Sequence, residues 1–431
     1  MMINQVIAVL IFGVTFVMIL AERVHRTIVA MVGAVVMLIV GMLMGFYSQA
    51  GALAAVDFNT LGLLLGMMIL VRLLEQTGFF EYVAIIIGKR AGGRPWLLLL
   101  VLGGATTVLS MFLDNVTTVV LIVPITILIA QILGLSPLPF LMAEALLSNI
   151  GGVATLVGDP PNVLIGSASG LSFAAFLTHL APIAAVAWLA AIGILRLVFR
   201  RELAEQPQHL AALASLDESG ALRDPTGARK TLIALAAVIL LFFLHGSLGL
   251  QPAVVALMGA AVALLWVQPD VEETLRHVEW SVLLFFAALF VLTGGLAASG
   301  VLGRVAALLA APAQNNPLAA SLALLWAAAI ISAVVDNIPF TIAMIPVIQE
   351  LSGLGVAVLP FWWALALGAG LGGNGTPVGA TANVITVSLS KKTHTPITTS
   401  VWLRSGLPVM IATCVVASLL FGVFFEWMSH P

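Results

Sequence analysis

Charge is scarce in this chain: Asp, Glu, Lys and Arg make up 8% of its 431 residues, against about 25% in a soluble domain. Hydrophobic residues account for 61% and the mean hydropathy is +1.16, so the chain reads as an all-α polytopic membrane protein. Cysteine is scarcer still. Cys414 is the only one and lies in the last hydrophobic segment, which excludes an intrachain disulfide and a thiolate metal cluster. The net charge of -2 leaves no basic footprint for nucleic acid. A positive n-region is missing ahead of the apolar residues 3–20, and Glu22, Arg23 and Arg26 follow them directly. This segment therefore reads as a retained first helix with its N-terminus outside.

What the chain does have is a pair of interruptions inside apolar runs. The first is Ser148-Asn149-Ile150-Gly151-Gly152-Val153-Ala154-Thr155-Leu156-Val157-Gly158-Asp159-Pro160-Pro161-Asn162. Its two prolines lack backbone donors and turn the preceding residue away from helix. In lipid such a break is tolerable only against protein or a watery cavity. The second break is Gly372-Gly373-Asn374-Gly375-Thr376-Pro377-Val378-Gly379-Ala380-Thr381-Ala382-Asn383. Shifted by 221 positions, Gly151, Gly152, Thr155, Val157, Gly158 and Asn162 fall on identical residues. Two broken helices at matching places point to the binding site of a secondary transporter.

Runs long enough to span fall at 3–20, 27–46, 60–76, 172–199, 231–247, 252–268, 281–298 and 403–427, at about 20 apolar residues per crossing. The interrupted runs 141–168 and 360–390 bring the total to about ten. Stretches 96–133 and 317–349 are too long for one helix, and each carries an Asp-Asn pair near its middle, Asp114-Asn115 and Asp336-Asn337. Each reads either as two thin crossings or, as the polar tips favour, as a re-entrant hairpin that holds the pair at membrane depth. With hairpins that return to the side they left, every Lys and Arg except Arg304 falls on one face, which is then cytoplasmic.

At an offset of 222, Gly78 falls on Gly300, Asp114 on Asp336, Asn115 on Asn337 and Pro124 on Pro346. Each half then holds five full crossings, an odd number, so the second is inverted relative to the first. The expected organisation is two inverted-topology repeats, 1–200 and 231–431, joined by a polar cytoplasmic linker, 201–230. Both termini, and Ser48 between the second and third crossings, are expected outside, and Asp217 inside.

Candidate site residues follow from this frame. Asp114 and Asp336 are carboxylates in apolar runs, a functional signal by default, although Asp and Asn are also the preferred helix N-caps. Thr117, Thr118 and Thr341 add hydroxyls that capping does not require. Asp159 has no charged counterpart, since Ala380 stands in its place, which suggests a coupling role; it could equally cap the half-helix that Pro160 opens. Glu144 is expected near a membrane end, snorkelling, and His179 and His245 as satisfied interfacial histidines. Gly368-Ala369-Gly370-Leu371-Gly372-Gly373 matches the dinucleotide pattern literally but lacks a βαβ context.

The segments Leu113-Asp114-Asn115-Val116-Thr117-Thr118, Ser148-Asn149-Ile150-Gly151-Gly152 and Gly158-Asp159-Pro160-Pro161-Asn162, with Asp336-Asn337-Ile338-Pro339 and Thr376-Pro377-Val378-Gly379 in the second half, carry a resemblance. It is to the arsenite-pump, sodium–proton antiporter and P-protein branch of the ion transporter superfamily, related to citrate and dicarboxylate transporters. The hairpin pattern is closer to the P-protein type. The resemblance implies a scaffold domain that forms a homodimer and a transport domain of hairpins and broken helices. It places substrate and coupling ion at Asp114, Asn115, Thr155, Asp159, Asn162, Asp336, Asn337, Thr376 and Asn383; Asn149, Gly152, Gly373 and Asn374 in the same breaks are further candidates, and a coupling Na⁺ is expected at Asp114, Asn115, Asp336 and Asn337. The expected protein is no enzyme and needs no cofactor beyond a coupling H⁺ or Na⁺. It is a secondary active transporter in a prokaryotic inner membrane. The leading substrate reading is arsenite or antimonite efflux; the alternatives are Na⁺/H⁺ exchange, Na⁺-coupled carboxylate or anion transport, and a passive anion channel.

Overall fold

Proline and glycine divide the apolar runs into helices at the places the sequence marks. The structure is a computed structural model and describes residues 2–21, 23–208, 210–211 and 217–430. Glu22, and positions 209 and 212–216 of the linker, lie outside the described residues. The first half holds α1 (Met2–Leu20), α2 (Arg26–Leu43), α3 (Phe58–Gln76), α4 (Phe79–Arg90), α5 (Pro95–Phe112), α6 (Asn115–Ile132), α7 (Leu138–Val153), α8 (Pro160–Ser169) and α9 (Phe173–Val198). The second holds α10 (Pro225–Leu244), α11 (Pro252–Val267), α12 (Trp280–Ala298), α13 (Val301–Asn315), α14 (Pro317–Val334), α15 (Asn337–Gly353), α16 (Leu359–Gly372), α17 (Thr381–Ser390) and α18 (Thr399–Val423).

The two halves match element by element. Helices α3 and α12 start and end 222 positions apart, as do α5 and α14, and α8 and α17 are offset by 221. Even the turn before α4 recurs before α13: Gly78 and Gly300 sit at φ +77° and +78°, a left-handed conformation that only glycine adopts freely. Packing repeats as well. Helix α5 lies along α7, and α14 along α16. A Cβ on Gly151 would come within 2.4 Å of the Thr107 carbonyl oxygen, and one on Gly372 within 2.4 Å of Ala329 Cα, so glycine is what lets these backbones meet.

Among the described residues, ten helices are long and apolar enough to cross a membrane, and the protein is an integral membrane protein. The number agrees with the sequence reading but the membership differs. α5, α6 and α14, expected as hairpin arms, are long enough to count, while α11, expected as a full crossing over 252–268, has only 16 residues, and the interrupted runs 141–168 and 360–390 are each split into two shorter helices, α7–α8 and α16–α17. Each hairpin arm of 18 residues rises about 27 Å. Helices α4 and α13 were not anticipated, because the charges Glu81, Lys89 and Arg90 make the first of them look like loop.

The arms of each hairpin begin and end together. Trp96, at the start of α5, stacks under Arg196 at the end of α9, 4.9 Å away. Leu133, just past α6, accepts a bond from the linker amide of Gln208 (2.8 Å). Both arms of the first hairpin therefore reach the linker end of the bundle. In the second hairpin Gln314, before α14, donates to the Leu354 carbonyl after α15 (3.0 Å). Gln349 of α15 donates to Ala168 at the far end of α8 (3.4 Å). The helices α3 and α11 run side by side from a shared start, where Asn59 Oδ1 accepts from the Ala253 amide (3.0 Å). Likewise α2 and α12 start together, where Thr27 Oγ1 donates to the Ser281 carbonyl (2.9 Å).

At the linker end, Glu81 pairs with Arg223 at 3.0 Å and Lys89 with Glu218, exposed contacts worth little each. The Ser219 hydroxyl, with the Gly220 amide, holds the Asp217 carboxyl below its ordinary range. Asp217 thus marks a charged, water-facing point, and Ser48 caps the short helix Gln49–Ala55 on the connection from α2 to α3. In a background lacking Cys414, Asp217→Cys is expected to react with an impermeant thiol reagent only after the cytoplasmic side is opened, and Ser48→Cys in intact cells; labelling of both from one side would break the topology.

Candidate functional site

Each hairpin tip is built by its own Asp. After Leu113 and Val335 the chain is extended, and the following Asp caps the next helix. Asp114 accepts from the Thr117 amide (2.8 Å) and hydroxyl (2.6 Å), and Asp336 from the Ile338 amide (3.1 Å). Capping is therefore part of the role of both. Thr118 and Thr341 turn their hydroxyls back onto the carbonyls of Asp114 (3.0 Å) and Asn337 (2.8 Å), so these two serve the tip backbone.

The breaks are closed by two asparagines in equivalent places. Asn162 Nδ2 donates to the carbonyls of Gly152 (3.3 Å), Val153 (3.0 Å) and Thr155 (2.8 Å). Asn383 Nδ2 does the same for Gly373 (2.7 Å) and Thr376 (3.0 Å). Thr155 and Thr376 lash each break to its own hairpin, donating to the carbonyls of Met111 and Ala333. Broken helix and tip thus face each other within each half, as the repeat requires. A carbonyl freed from a helix and buried without a donor costs about 1–3 kcal/mol, which is what these side chains prevent.

The two halves meet at one carboxylate. Asp159 is 1% exposed; Asn115 Nδ2 lies 3.4 Å from its Oδ1 and Asn337 Nδ2 lies 3.3 Å from its Oδ2. Although it stands in the N-cap position of α8, its side chain makes no capping bond. The reason is local: Pro160 and Pro161 offer no N–H, and the next amide, Asn162, donates to the Asp159 backbone carbonyl (2.9 Å). The capping reading of Asp159 therefore fails, and the side chain instead bridges both tips. Asn115 and Asn337 directly follow Asp114 and Asp336, so their bonds to Asp159 bring three carboxylates around one centre.

A second link crosses the halves. Asn149 accepts from Asn115 (3.0 Å) and donates to Asn374 Oδ1 and Asn383 Oδ1, each at 2.9 Å. The equivalents of Asn149 and Asn374 are Gly370 and Val153, which pack together where a Cβ on Gly370 would fall 2.1 Å from Val153 Cγ2. Gly152 and Gly373 bring backbone, not side chain, to the centre. All sixteen of the sequence's site residues lie in or beside these tips and breaks, and Thr117, Thr118 and Thr341 bond within their own tips.

One charged residue at the centre was missed. The breaks themselves carry no Lys or Arg, but Arg26 Nη1, from the first turn of α2, reaches Asp336 Oδ2 and Thr381 Oγ1, each at 2.8 Å. Thr381 also donates to Asp336 (2.8 Å), closing a triangle at the N-terminus of α17. Arg26 lies over the Phe285 ring, 5.2 Å away. The triangle lines a cavity of about 390 Å³ with His25, Val378 and Val384. Because Asp336 is engaged by Arg26, it is not a free ligand for Na⁺ in this arrangement. Glu144 also departs from expectation: it is fully buried, because α7 is covered on every side and leaves no surface to reach. His179 and His245 are buried and satisfied, on the carbonyls of Ala175 and His430 and on Phe173 and Leu250 respectively.

A family model described as citrate transporter matches residues 16–368 of this chain. A 46 kDa membrane protein of Mycobacterium leprae is 38% identical over 435 residues, covering 99% of this chain and 100% of that one. An uncharacterised transporter of Mycobacterium tuberculosis is 40% identical over 436 residues, 99% of each. The Homo sapiens P protein is 34% identical over 491 residues, which take in 95% of this chain and 59% of that protein. Among solved structures, the Alcanivorax borkumensis YdaH transporter is similar with a TM-score of 0.55 at 18% identity over 87% of each chain, a likeness of fold.

The paired staples make a direct prediction. Asn162→Ala and Asn383→Ala each leave break carbonyls without a donor and are expected to cost about 1–3 kcal/mol, read as a lowered thermal unfolding midpoint of the purified protein. Unchanged midpoints in both would show that the breaks do not depend on them.

Proposed function

Because the chain belongs to the citrate transporter family, we propose that it is a secondary active transporter of a small carboxylate-bearing anion, moved together with H⁺ or Na⁺. The carrying observation is the Arg26 guanidinium held at the cavity between the second tip and the start of α17. Guanidinium binds carboxylate as a fork, with geometric selectivity, and the N-terminus of α17 adds a favourable field for an anion. Arsenous acid is neutral at physiological pH and gains nothing from a fixed cation, so arsenite or antimonite efflux has less support here. Na⁺/H⁺ exchange without an anion leaves Arg26 with no role in binding cargo. A cation bound near Asp114, Asp159 and Asp336 would relieve repulsion among them, which couples cation and anion binding.

In a bilayer, this reading makes the halves 1–200 and 231–431 inverted repeats around the cytoplasmic linker 201–230. The hairpins α5–α6 and α14–α15 are then re-entrant from opposite sides, with both termini outside in a prokaryotic inner membrane. The transport unit is formed by the hairpins, α7–α8 and α16–α17, and Arg26 belongs to the surrounding scaffold, the part that would form a homodimer. Arg26 then holds one position of the transport unit through Asp336, and substrate carboxylate competes for the same guanidinium.

Proteoliposomes offered labelled citrate, succinate, arsenite and sodium test this. Saturable carboxylate uptake, raised by an inward H⁺ or Na⁺ gradient, is expected. Arg26→Gln should weaken apparent affinity about tenfold or more, since a hydrogen bond to a charged group is worth about 1.5–3 kcal/mol. Saturable arsenite transport in place of carboxylate, sodium–proton exchange with no anion, or unsaturable flux would each replace this reading with the corresponding rival.

A further inference from the structure

The fully buried Glu144 has no part in the central network. It sits in the first half of α7, six residues after Leu138 and five before Asn149, about 9 Å and 7.5 Å along the helix. Thr126 of α6 donates to its Oε1, and Oε2 has no partner among the described residues. The ionisable groups on the helices packed against α7 are Asp114 at the cap of α6, His179 and Arg196 of α9, and Arg404 and the buried thiol Cys414 of α18; α5, α16 and α17 carry none. None of these reaches Glu144. Asp114 is bonded to Thr117, His179 to backbone carbonyls, Arg196 lies over Trp96, and Arg404 is exposed. A carboxylate there would be a buried charge with a single hydrogen bond, which is far costlier than a neutral acid missing one.

Packing alone does not ask for this residue. In the second half the same two places hold Leu365 and Ile348, both fully buried, so the scaffold accepts an apolar pair where the first half keeps an acid and a hydroxyl. An acid retained at such a site needs another reason. We propose that Glu144 is a proton-binding site of the transport unit, which loads its proton on one side of the membrane and releases it on the other. This inference rests on the transporter reading above and names H⁺ as a coupled ion. In the loaded form the carbonyl Oε1 accepts from Thr126 and Oε2 carries the proton. On release the O–H bond breaks, the proton passes to water, and the electron pair stays as carboxylate. Release needs water to reach Oε2, which movement of α7 with the rest of the transport unit would supply.

Two measurements on the full-length protein test it. Infrared difference spectra with changing pH should show the carbonyl stretch of a protonated carboxylic acid that fades as pH rises and is missing in Glu144→Gln; this readout does not depend on knowing the substrate. In proteoliposomes, wild-type accumulation should grow by up to about tenfold per coupled proton for each unit of imposed pH difference, and Glu144→Gln should lose that response. Should the Gln variant fail to fold, Glu144→Leu with Thr126→Ile installs the second half's own pair and should likewise give a pH-independent transporter. A wild-type spectrum without the acid band, or either variant transporting with the wild-type response to pH, overturns the inference. Failure of the transporter reading instead appears as absence of coupled uptake in the wild type, with the infrared result standing apart from it.

Discussion

Backbone carbonyls that leave a helix inside a membrane have only protein to bond to, and the rest of this structure is arranged around that requirement. The breaks at Ala154–Asp159 and Gly373–Ala380 would each strand several polar groups at bilayer depth. Asn162 and Asn383 reach back to hold them, Thr155 and Thr376 tie each break to a neighbouring hairpin, and glycines at the contact let the backbones approach. Two half-helices can then end at the centre of the molecule and aim their termini at one place.

On this symmetric frame the chemistry is asymmetric. At the shared offset Asp159 corresponds to Ala380, Asn149 to Gly370, Asn374 to Val153 and Glu144 to Leu365. Each polar member lies where its apolar counterpart shows that packing can be satisfied without it. A pair of equal half-sites would bind two copies of one ion; these unequal half-sites give one carboxylate shared by both tips and one guanidinium at the second tip only. That arrangement suits two different cargoes whose binding is linked.

Much of this was legible in the sequence because it is local. The Asp-Asn pairs, the Gly-Pro breaks and the two staple asparagines are each read within a dozen residues, and the offsets of 221 and 222 tie the halves together. The pairings across the halves were not legible. Arg26 meets a residue 310 positions away, and by itself it looks like one more positive charge next to the cytoplasm. Asp159 was open to a capping role until the structure showed its oxygens turned to Asn115 and Asn337. Glu144 could have been placed better from sequence. Leu138–Val153 is apolar all round apart from a few polar residues, the mark of a helix covered on every side, and no interface was within reach of that side chain.

The central claim is that Asp159, held between the two tips, couples cation and substrate. The most direct measurement compares driven accumulation with substrate exchange at equal concentrations in proteoliposomes of Asp159→Asn. Asn keeps the size of the side chain and cannot ionise at neutral pH. The account predicts that exchange persists while accumulation driven by an ion gradient is lost; accumulation with unchanged ion dependence would contradict it.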